Sequence, residues 1–288
     1  KFFLFDAIEF DPGLRWIDLM SDLAFALMDL DSRGAVVHAR RLKNSYLEAS
    51  GDYGGLAVLR FYQAYRALVR AKIAILRVQQ FPHGEPERTT HLQESRRYID
   101  LALSYGDQHQ PRLAITCGLS GSGKSTAALK LVDHAGFVRI RSDIERKRLF
   151  GLAALQRSAA DIEAGIYSAA ATAKTYRRLA ELTATALAAG ERVIVDATFL
   201  KQAQRQPFTE LASGRFPLDI VLLEGSDAVL QRRIESRSRA AKDPSEATAQ
   251  VVTRQRRYAE WPTPAEGRIV RVATDRPGWE AELDRDFS

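Results

Sequence analysis

The residues best suited to chemistry are the glycines, the lysine and the serine between Gly118 and Ser125. This segment satisfies the pattern G-x-x-x-x-G-K-[ST], in which backbone N–H groups converge on a phosphate. Lys124 is expected to reach the β and γ phosphates of a nucleoside triphosphate, and the Ser125 hydroxyl to ligate Mg²⁺. The predicted cofactors are ATP and Mg²⁺, and the residues expected to bind them are Gly118, Leu119, Ser120, Gly121, Ser122, Gly123, Lys124, Ser125 and Thr126.

Two acidic residues follow later strands of the same region. Phe137 to Ile140 reads as a strand that leads to Asp143, and Val193 to Val195 reads as a buried strand that ends at Asp196. Ligands of parallel α/β sheets bind at the carboxyl ends of the strands, so both acids are expected near the loop.

Each acid has two interpretations. Asp143 could orient an acceptor hydroxyl and take its proton, or it could only cap the following helix. Asp196 could hold Mg²⁺ or contact the acceptor. The other residues expected to contact the acceptor are Arg146, which would bind an anionic group, together with Thr198 and Arg205.

Arginines cluster late in the chain, between positions 232 and 239, ahead of the segment AAKDPS. Planar guanidinium groups pair with phosphate oxygens and neutralise the charge that develops during phosphoryl transfer. The cluster therefore predicts a lid that closes on the γ phosphate, with a solvated basic helix face as the alternative. Arg233 and Arg237 are its predicted catalytic members, alongside Lys124 and Asp143.

Composition limits the class of protein. A chain of 288 residues predicts about two domains, and one cysteine excludes an internal disulfide framework and favours a reducing, cytoplasmic setting. No apolar run approaches the ~18 residues of a membrane span, so no membrane partner is expected. A net charge of +6 would permit nucleic-acid binding, for example through Arg254, Arg256 and Arg257, although basic and acidic residues are interspersed. The sequence leaves the oligomeric state open.

The chain divides into a mainly helical part, residues 1–107, and a second part, residues 108–288. From Leu113 onward strands and helices alternate, which predicts an α/β fold: a P-loop NTPase whose parallel sheet is covered by helices on both faces. The first part contains one long amphipathic run. Its apolar stripe, predicted to pack in the core, comprises Val58, Phe61, Tyr65, Leu68, Ala71, Ile75 and Val78.

Both parts resemble known families. GLSGSGKST, VRIRSDIERKRLFG, VIVDATF and SRSRAAKDPSEAT resemble the P-loop kinases related to zeta toxins, polynucleotide kinases and gluconate kinases. LFDAIEFDPGLRWIDLMSDLAFALMDL resembles the aminoglycoside phosphotransferase family after its catalytic loop. The whole chain resembles the bifunctional aminoglycoside phosphotransferase/ATP-binding proteins.

This resemblance implies a partial phosphotransferase C-lobe in residues 1–107, with a Mg²⁺ ligand at Asp6 and an upstream portion missing. The H-G-D-x-H-x-x-x-N loop that supplies the base in that family does not occur in the chain. The helical part is therefore expected to be catalytically inactive.

Together these features predict an ATP-dependent kinase that phosphorylates a hydroxyl of a small molecule or of a nucleic-acid end. The alternative is a regulatory module that binds ATP and hydrolyses it slowly or not at all. An acid after the second strand and a late arginine cluster favour the kinase, because a switch needs neither.

Overall fold

A computed structural model of the chain describes residues 17–106, 110–154, 156, 165–240 and 249–287, without the side chains of 237–240 and 249. One compact unit contains the described residues of Lys1–Lys43 and Gly55–Gln108, and the other contains those of Asn44–Gly54 and His109–Ser288. The second unit therefore includes a short segment that the division at residue 107 assigns to the first part. Asp6 and residues 241–248 of the expected lid lie outside the described residues.

The first unit is built from helices. An aspartate at position 18 caps the first of them by accepting the Met20 N–H at 2.8 Å. The helices are α1 (Leu19–Ser32), α2 (Val36–Ser50), whose last turns belong to the second unit, α3 (Leu56–Val78) and α4 (Pro86–Ser104). Within the described residues, no helix is long and apolar enough to span a membrane.

Helix α3 buries a different face from the one predicted. Phe61, Tyr65 and Leu68 are more than half exposed. The buried positions recur at three and four residues along the helix and include small side chains, which allow neighbouring helices to approach closely. They are Leu56, Leu59, Gln63, Ala67, Ala71, Ala74 and Val78, so only Ala71 and Val78 of the predicted stripe are in the core.

The second unit contains a five-stranded parallel sheet, which confirms the predicted α/β class. Its strands lie in the order β2-β3-β1-β4-β5, so the strand that leads into the glycine-rich loop is central. The strands are β1 (Arg112–Cys117), β2 (Val138–Arg141), β3 (Arg192–Asp196), β4 (Leu218–Glu224) and β5 (Arg268–Ala273).

Helices connect these strands, as expected where parallel strands follow each other along the chain. The central strands are apolar and buried because the sheet is covered by helices, as in other parallel sheets. The helices are α5 (Lys124–Ala135), α6 (Ser142–Leu149), α7 (Ala169–Ala188), α8 (Gln202–Ala212), α9 (Asp227–Ala240), α10 (Ala249–Tyr258) and α11 (Trp279–Phe287), with a 3-10 turn at Gly165–Tyr167.

Candidate functional site

The glycine-rich loop joins the end of β1 to the start of α5. The Gly118 N–H donates to the carbonyl of Thr198 at 3.1 Å. A Cβ on Gly118 would lie 2.5 Å from the Leu223 carbonyl oxygen, so only glycine fits between β4 and the loop. Gly123 takes φ +92° immediately before α5, a conformation that glycine adopts without strain. The loop therefore delivers the helix N-terminus, with its unpaired N–H groups, to the carboxyl edge of the sheet.

Lys124 spans this loop from its C-terminal side. Its Nζ donates to the carbonyls of Gly118 and Leu119 at 3.0 and 2.7 Å. The Ser122 hydroxyl is buried inside the loop and has no hydrogen-bond partner among the described residues. A buried hydroxyl without a partner is costly, and a phosphate oxygen would satisfy it. The polar groups of the loop thus suit an anion.

Thr274 and Arg233 brace the loop from the side opposite β3. The Arg233 guanidinium donates to the Thr274 carbonyl at 2.8 Å and lies 3.4 Å from the Gly121 carbonyl. The Thr274 hydroxyl lies 3.0 Å from the Ser122 carbonyl. Arg233 therefore reaches the loop, but its guanidinium is engaged with the protein, and its closure on the γ phosphate stays a prediction. Arg237 lies further along α9, and its side chain is outside what the structure describes.

The two predicted acids both lie at the carboxyl edge of the sheet. Asp196 is the last residue of β3 and is almost fully buried, with the Arg141 Nε at 3.6 Å from its carboxylate. Asp143 lies in the first turn of α6, directly after β2, and is partly exposed. Since β3 lies between β2 and β1, the order along this edge is Asp143, Asp196 and then the loop.

The chemistry of these groups fits a bound Mg²⁺ ion. Mg²⁺ prefers hydroxyl, carboxylate and phosphate oxygens and usually keeps several waters, so it does not need a cage of many carboxylates. Ser125, in the first turn of α5, and Asp196 would supply one oxygen each. No group of three or more His, Cys, Asp or Glu side chains that could hold a metal ion occurs among the described residues.

Arg146 lies on the same helix as Asp143, and its side chain packs against the 3-10 turn at Gly165–Tyr167. Its Nη1 donates to the Ile166 carbonyl at 2.8 Å, and its guanidinium stacks on Tyr167 at 5.2 Å from the ring centre. Its Nε is buried and has no hydrogen-bond acceptor in the part of the chain that the structure describes. A buried cation with an unsatisfied donor favours a nearby anion.

Thr198 and Phe199 link the acidic strand to the loop. The Thr198 hydroxyl lies 3.3 Å from the Tyr176 hydroxyl, which accepts the Phe199 N–H at 3.2 Å. Phe199 is the one non-glycine residue with positive φ (47°) in the described part of the chain. Such strain persists only where neighbours enforce it, and it is frequent near functional sites. The sequence gives no signal for this conformation.

The structure contradicts the prediction that Arg205 contacts the acceptor. Arg205 is 1% exposed, and its Nη1 donates to the Phe199 and Glu260 carbonyls at 2.8 and 2.7 Å. Its remaining nitrogens form a two-pronged ion pair with Glu266, at 2.6 and 3.1 Å. Arg205 therefore holds the strained Phe199 backbone in place, because every donor direction of its guanidinium faces the protein.

Replacing Glu266 with glutamine should destabilise the protein by about 3–5 kcal/mol, because it leaves the Arg205 charge buried without its partner. Denaturant unfolding would measure the loss, with the exposed Glu260→Gln as the matched control. Burial raises the pKa of Glu266, but hydrogen bonds from Arg205 and Thr263 outweigh it, so the pKa lies below its ordinary value of 4.5. The stabilisation is thus complete at neutral pH and is lost as pH falls through this lowered pKa. An equal loss in both variants would contradict the assignment.

The segment Asn44–Gly54 packs within the second unit, which the sequence did not indicate. The Asn44 side chain accepts the Arg139 N–H at 2.7 Å and donates to the Phe137 carbonyl at 3.3 Å, as an added strand would. Glu48 pairs with Arg139 at 2.7 Å, and its carbonyl accepts a hydrogen bond from Arg148 of α6. The segment therefore fixes the edge strand β2 and the helix that carries Asp143.

Replacing Asn44 with alanine should lower the free energy of unfolding by about 1–3 kcal/mol, since the Arg139 N–H of β2 and the carbonyl of Phe137, just before β2, lose their partner. Urea unfolding would measure the change. Ser50→Ala removes an exposed hydroxyl on the same helix and should have little effect. Equal stability of the two variants would show that the segment does not support β2.

The chain is similar to curated proteins over most of its length. Curated proteins from Mycobacterium tuberculosis and Mycobacterium bovis, themselves described as uncharacterized, are 30% identical over 262 residues, which is 90% of this chain and 51% of theirs. The chain thus spans about half the length of these relatives.

Similar solved structures include a kinase described as putative from Chloroflexus aurantiacus, 23% identical, covering 62% of this chain and 97% of that one, with a TM-score of 0.48. A gluconokinase from Sinorhizobium meliloti is 23% identical, with coverages of 62% and 90% and a TM-score of 0.43. A family model described as an AAA domain matches residues 113–262. Because this match covers more than half of the sequence and includes the phosphate loop, the chain belongs to that AAA domain family.

Proposed function

We propose that this chain is an ATP-dependent kinase that transfers the γ-phosphoryl group to a hydroxyl of a small molecule or of a nucleic-acid end. The observation that carries the proposal is the position of Asp143 relative to the phosphate loop. The two occupy the carboxyl ends of β2 and β1, with one strand between them. Two strand spacings amount to about 10 Å, which leaves room for a transferring phosphoryl group and an acceptor hydroxyl.

Each residue then has a role in positioning or charge stabilisation. The loop N–H groups and Lys124 hold the phosphates of ATP, and Asp143 orients the acceptor hydroxyl and takes its proton. Mg²⁺ held by Ser125 and Asp196 would neutralise charge on the phosphates. Arg233 stabilises the conformation of the loop through its hydrogen bonds to the Gly121 and Thr274 carbonyls. Arg237 remains the predicted lid arginine that approaches the γ phosphate.

The buried Arg146 supports an acceptor that carries an anionic group. Its Nε has no acceptor among the described residues and lies on the same helix as Asp143, so one acceptor could meet both residues. A carboxylate or phosphate on the acceptor would pair with the guanidinium. Small phosphorylated or carboxylated alcohols and nucleic-acid ends share this chemistry.

An acceptor screen tests this proposal. ADP release would be measured with pairs of alcohols that differ only in an anionic group, for example a sugar acid and the corresponding neutral sugar. We expect acceleration by one anionic member and not by its neutral partner. Acceleration by neutral members alone would contradict the role of Arg146, and release that no acceptor stimulates would favour an ATP-hydrolysing regulatory module.

We further propose that the helical unit is the C-terminal part of a phosphotransferase-like domain, as its resemblance to the aminoglycoside phosphotransferase family implies. Support comes from the helical content of residues 17–106 and from relatives about twice as long as the matched region. A full-length relative should then keep one phosphotransferase activity after the residue that aligns with Lys124 is replaced by alanine. Loss of all transfer in that variant would contradict a second active domain.

A further inference from the structure

Gln255 of α10 forms a two-way hydrogen-bonded pair with the phosphate loop. The Ser120 N–H donates to its Oε1 at 2.8 Å, and its Nε2 donates to the Ser120 hydroxyl at 3.1 Å. Both side chains are more than nine-tenths buried, although the two residues are 135 positions apart in sequence. A buried amide with both ends paired to one residue fixes that residue in place.

Among the described residues, the pair supplies the side-chain hydrogen bonds that hold Ser120. Gly118 is held by Thr198, and Gly121 is braced by Arg233. Between them, Leu119 contributes its carbonyl to Lys124, and Ser120 is held by Gln255. Without the amide, the Ser120 N–H would be buried without its acceptor, and the loop would have to change shape to reach water.

We infer that Gln255 is a positioning residue of the nucleotide site, through which α10 fixes the shape of the phosphate loop. The inference rests on the proposed binding of ATP by that loop. It adds a residue outside the G-x-x-x-x-G-K-S segment and makes nucleotide affinity depend on α10.

Two substitutions of Gln255 separate the effect of losing the hydrogen bonds to Ser120 from the effect of placing a negative charge beside the loop. Gln255→Leu removes both hydrogen bonds at similar volume. Gln255→Glu keeps an acceptor for the Ser120 N–H and can accept from the Ser120 hydroxyl, but it places a carboxylate against the loop. Gln231→Leu is the matched control, because Gln231 is exposed on α9 and pairs only with Glu235 of its own helix among the described residues.

The experiment is a titration of each variant with a fluorescent ADP analogue, followed by competition with ATP. Gln255→Leu should weaken binding of both nucleotides roughly 5- to 100-fold, the range expected when a buried donor loses its partner. Gln255→Glu should weaken ATP more than ADP, because ATP carries more negative charge, and added salt or lower pH should restore part of the affinity. The control should bind like the wild type.

The outcomes are distinguishable. If the wild type fails to bind either nucleotide, the proposed function fails. If the wild type binds and Gln255→Leu keeps the wild-type affinity for both nucleotides, the positioning role of Gln255 is overturned while the proposed function stands. If Gln255→Leu does not fold, Gln255→Glu decides, because it can keep both hydrogen bonds and should fold. An unchanged ATP affinity with a carboxylate against Ser120 would then overturn the coupling of α10 to the nucleotide site.

Discussion

Replacing Lys124 with alanine is expected to lower ATP turnover by about 10²- to 10³-fold or more, as when other enzymes lose one preorganised donor to a charged transition state. The Lys124 ammonium lies against the loop, where it donates to the carbonyls of Gly118 and Leu119. A bound triphosphate offers it stronger, charge-assisted partners. Alanine also favours helices, so the first turn of α5 should persist.

Steady-state ADP release would measure this effect, with circular dichroism to show that the fold is intact. Lys130→Ala is the matched control, because Lys130 lies on the same helix and pairs with Asp284 away from the loop. The control should turn over ATP at the wild-type rate. Unchanged turnover in Lys124→Ala would exclude the loop as the ATP site.

Replacing Asp143 with asparagine should reduce phosphoryl transfer by about 10²- to 10⁴-fold, the usual contribution of a general base. Asparagine has the same shape and still accepts hydrogen bonds, but it cannot take a proton. The N-cap of α6 is Arg141 and not Asp143, so the capping alternative is wrong and the substitution removes no helix cap. ATP affinity should stay near the wild-type value, because Asp143 is two strands away from the loop.

Single-turnover transfer and ATP binding, measured on the same variant, separate the kinase from the regulatory module. The control Asp227→Asn changes an exposed acid in the first turn of another helix. A kinase loses transfer only in Asp143→Asn. Equal rates of ATP consumption in both variants would show that Asp143 has no catalytic function.

The parts of the site that could be predicted are those whose residues are local in sequence. The loop, its strand and its helix lie within Arg112–Ala135, and each acid lies at or within two residues of the end of the strand that places it. Parallel pairing then brings the strand ends together, because all carboxyl ends point to one edge.

Contacts between distant residues could not be predicted. From the sequence, Arg205 is a basic residue on a helix beside the cleft. It is buried because it forms an ion pair with Glu266, which lies 61 positions later in the chain. Gln255 is a lone glutamine among arginines, and nothing local marks it as buried. Helix α3 carries two possible stripes, and the one with smaller side chains is buried because neighbouring helices pack closely against alanine.

The most direct test of the kinase assignment is the fate of the γ phosphate of labelled ATP, incubated with the acceptor that the screen selects. The wild-type chain should move the label into a phosphate ester of that acceptor, at a rate that falls in Lys124→Ala and in Asp143→Asn. Label that appears only as inorganic phosphate, at a rate that Asp143→Asn does not change, would contradict phosphoryl transfer to a hydroxyl.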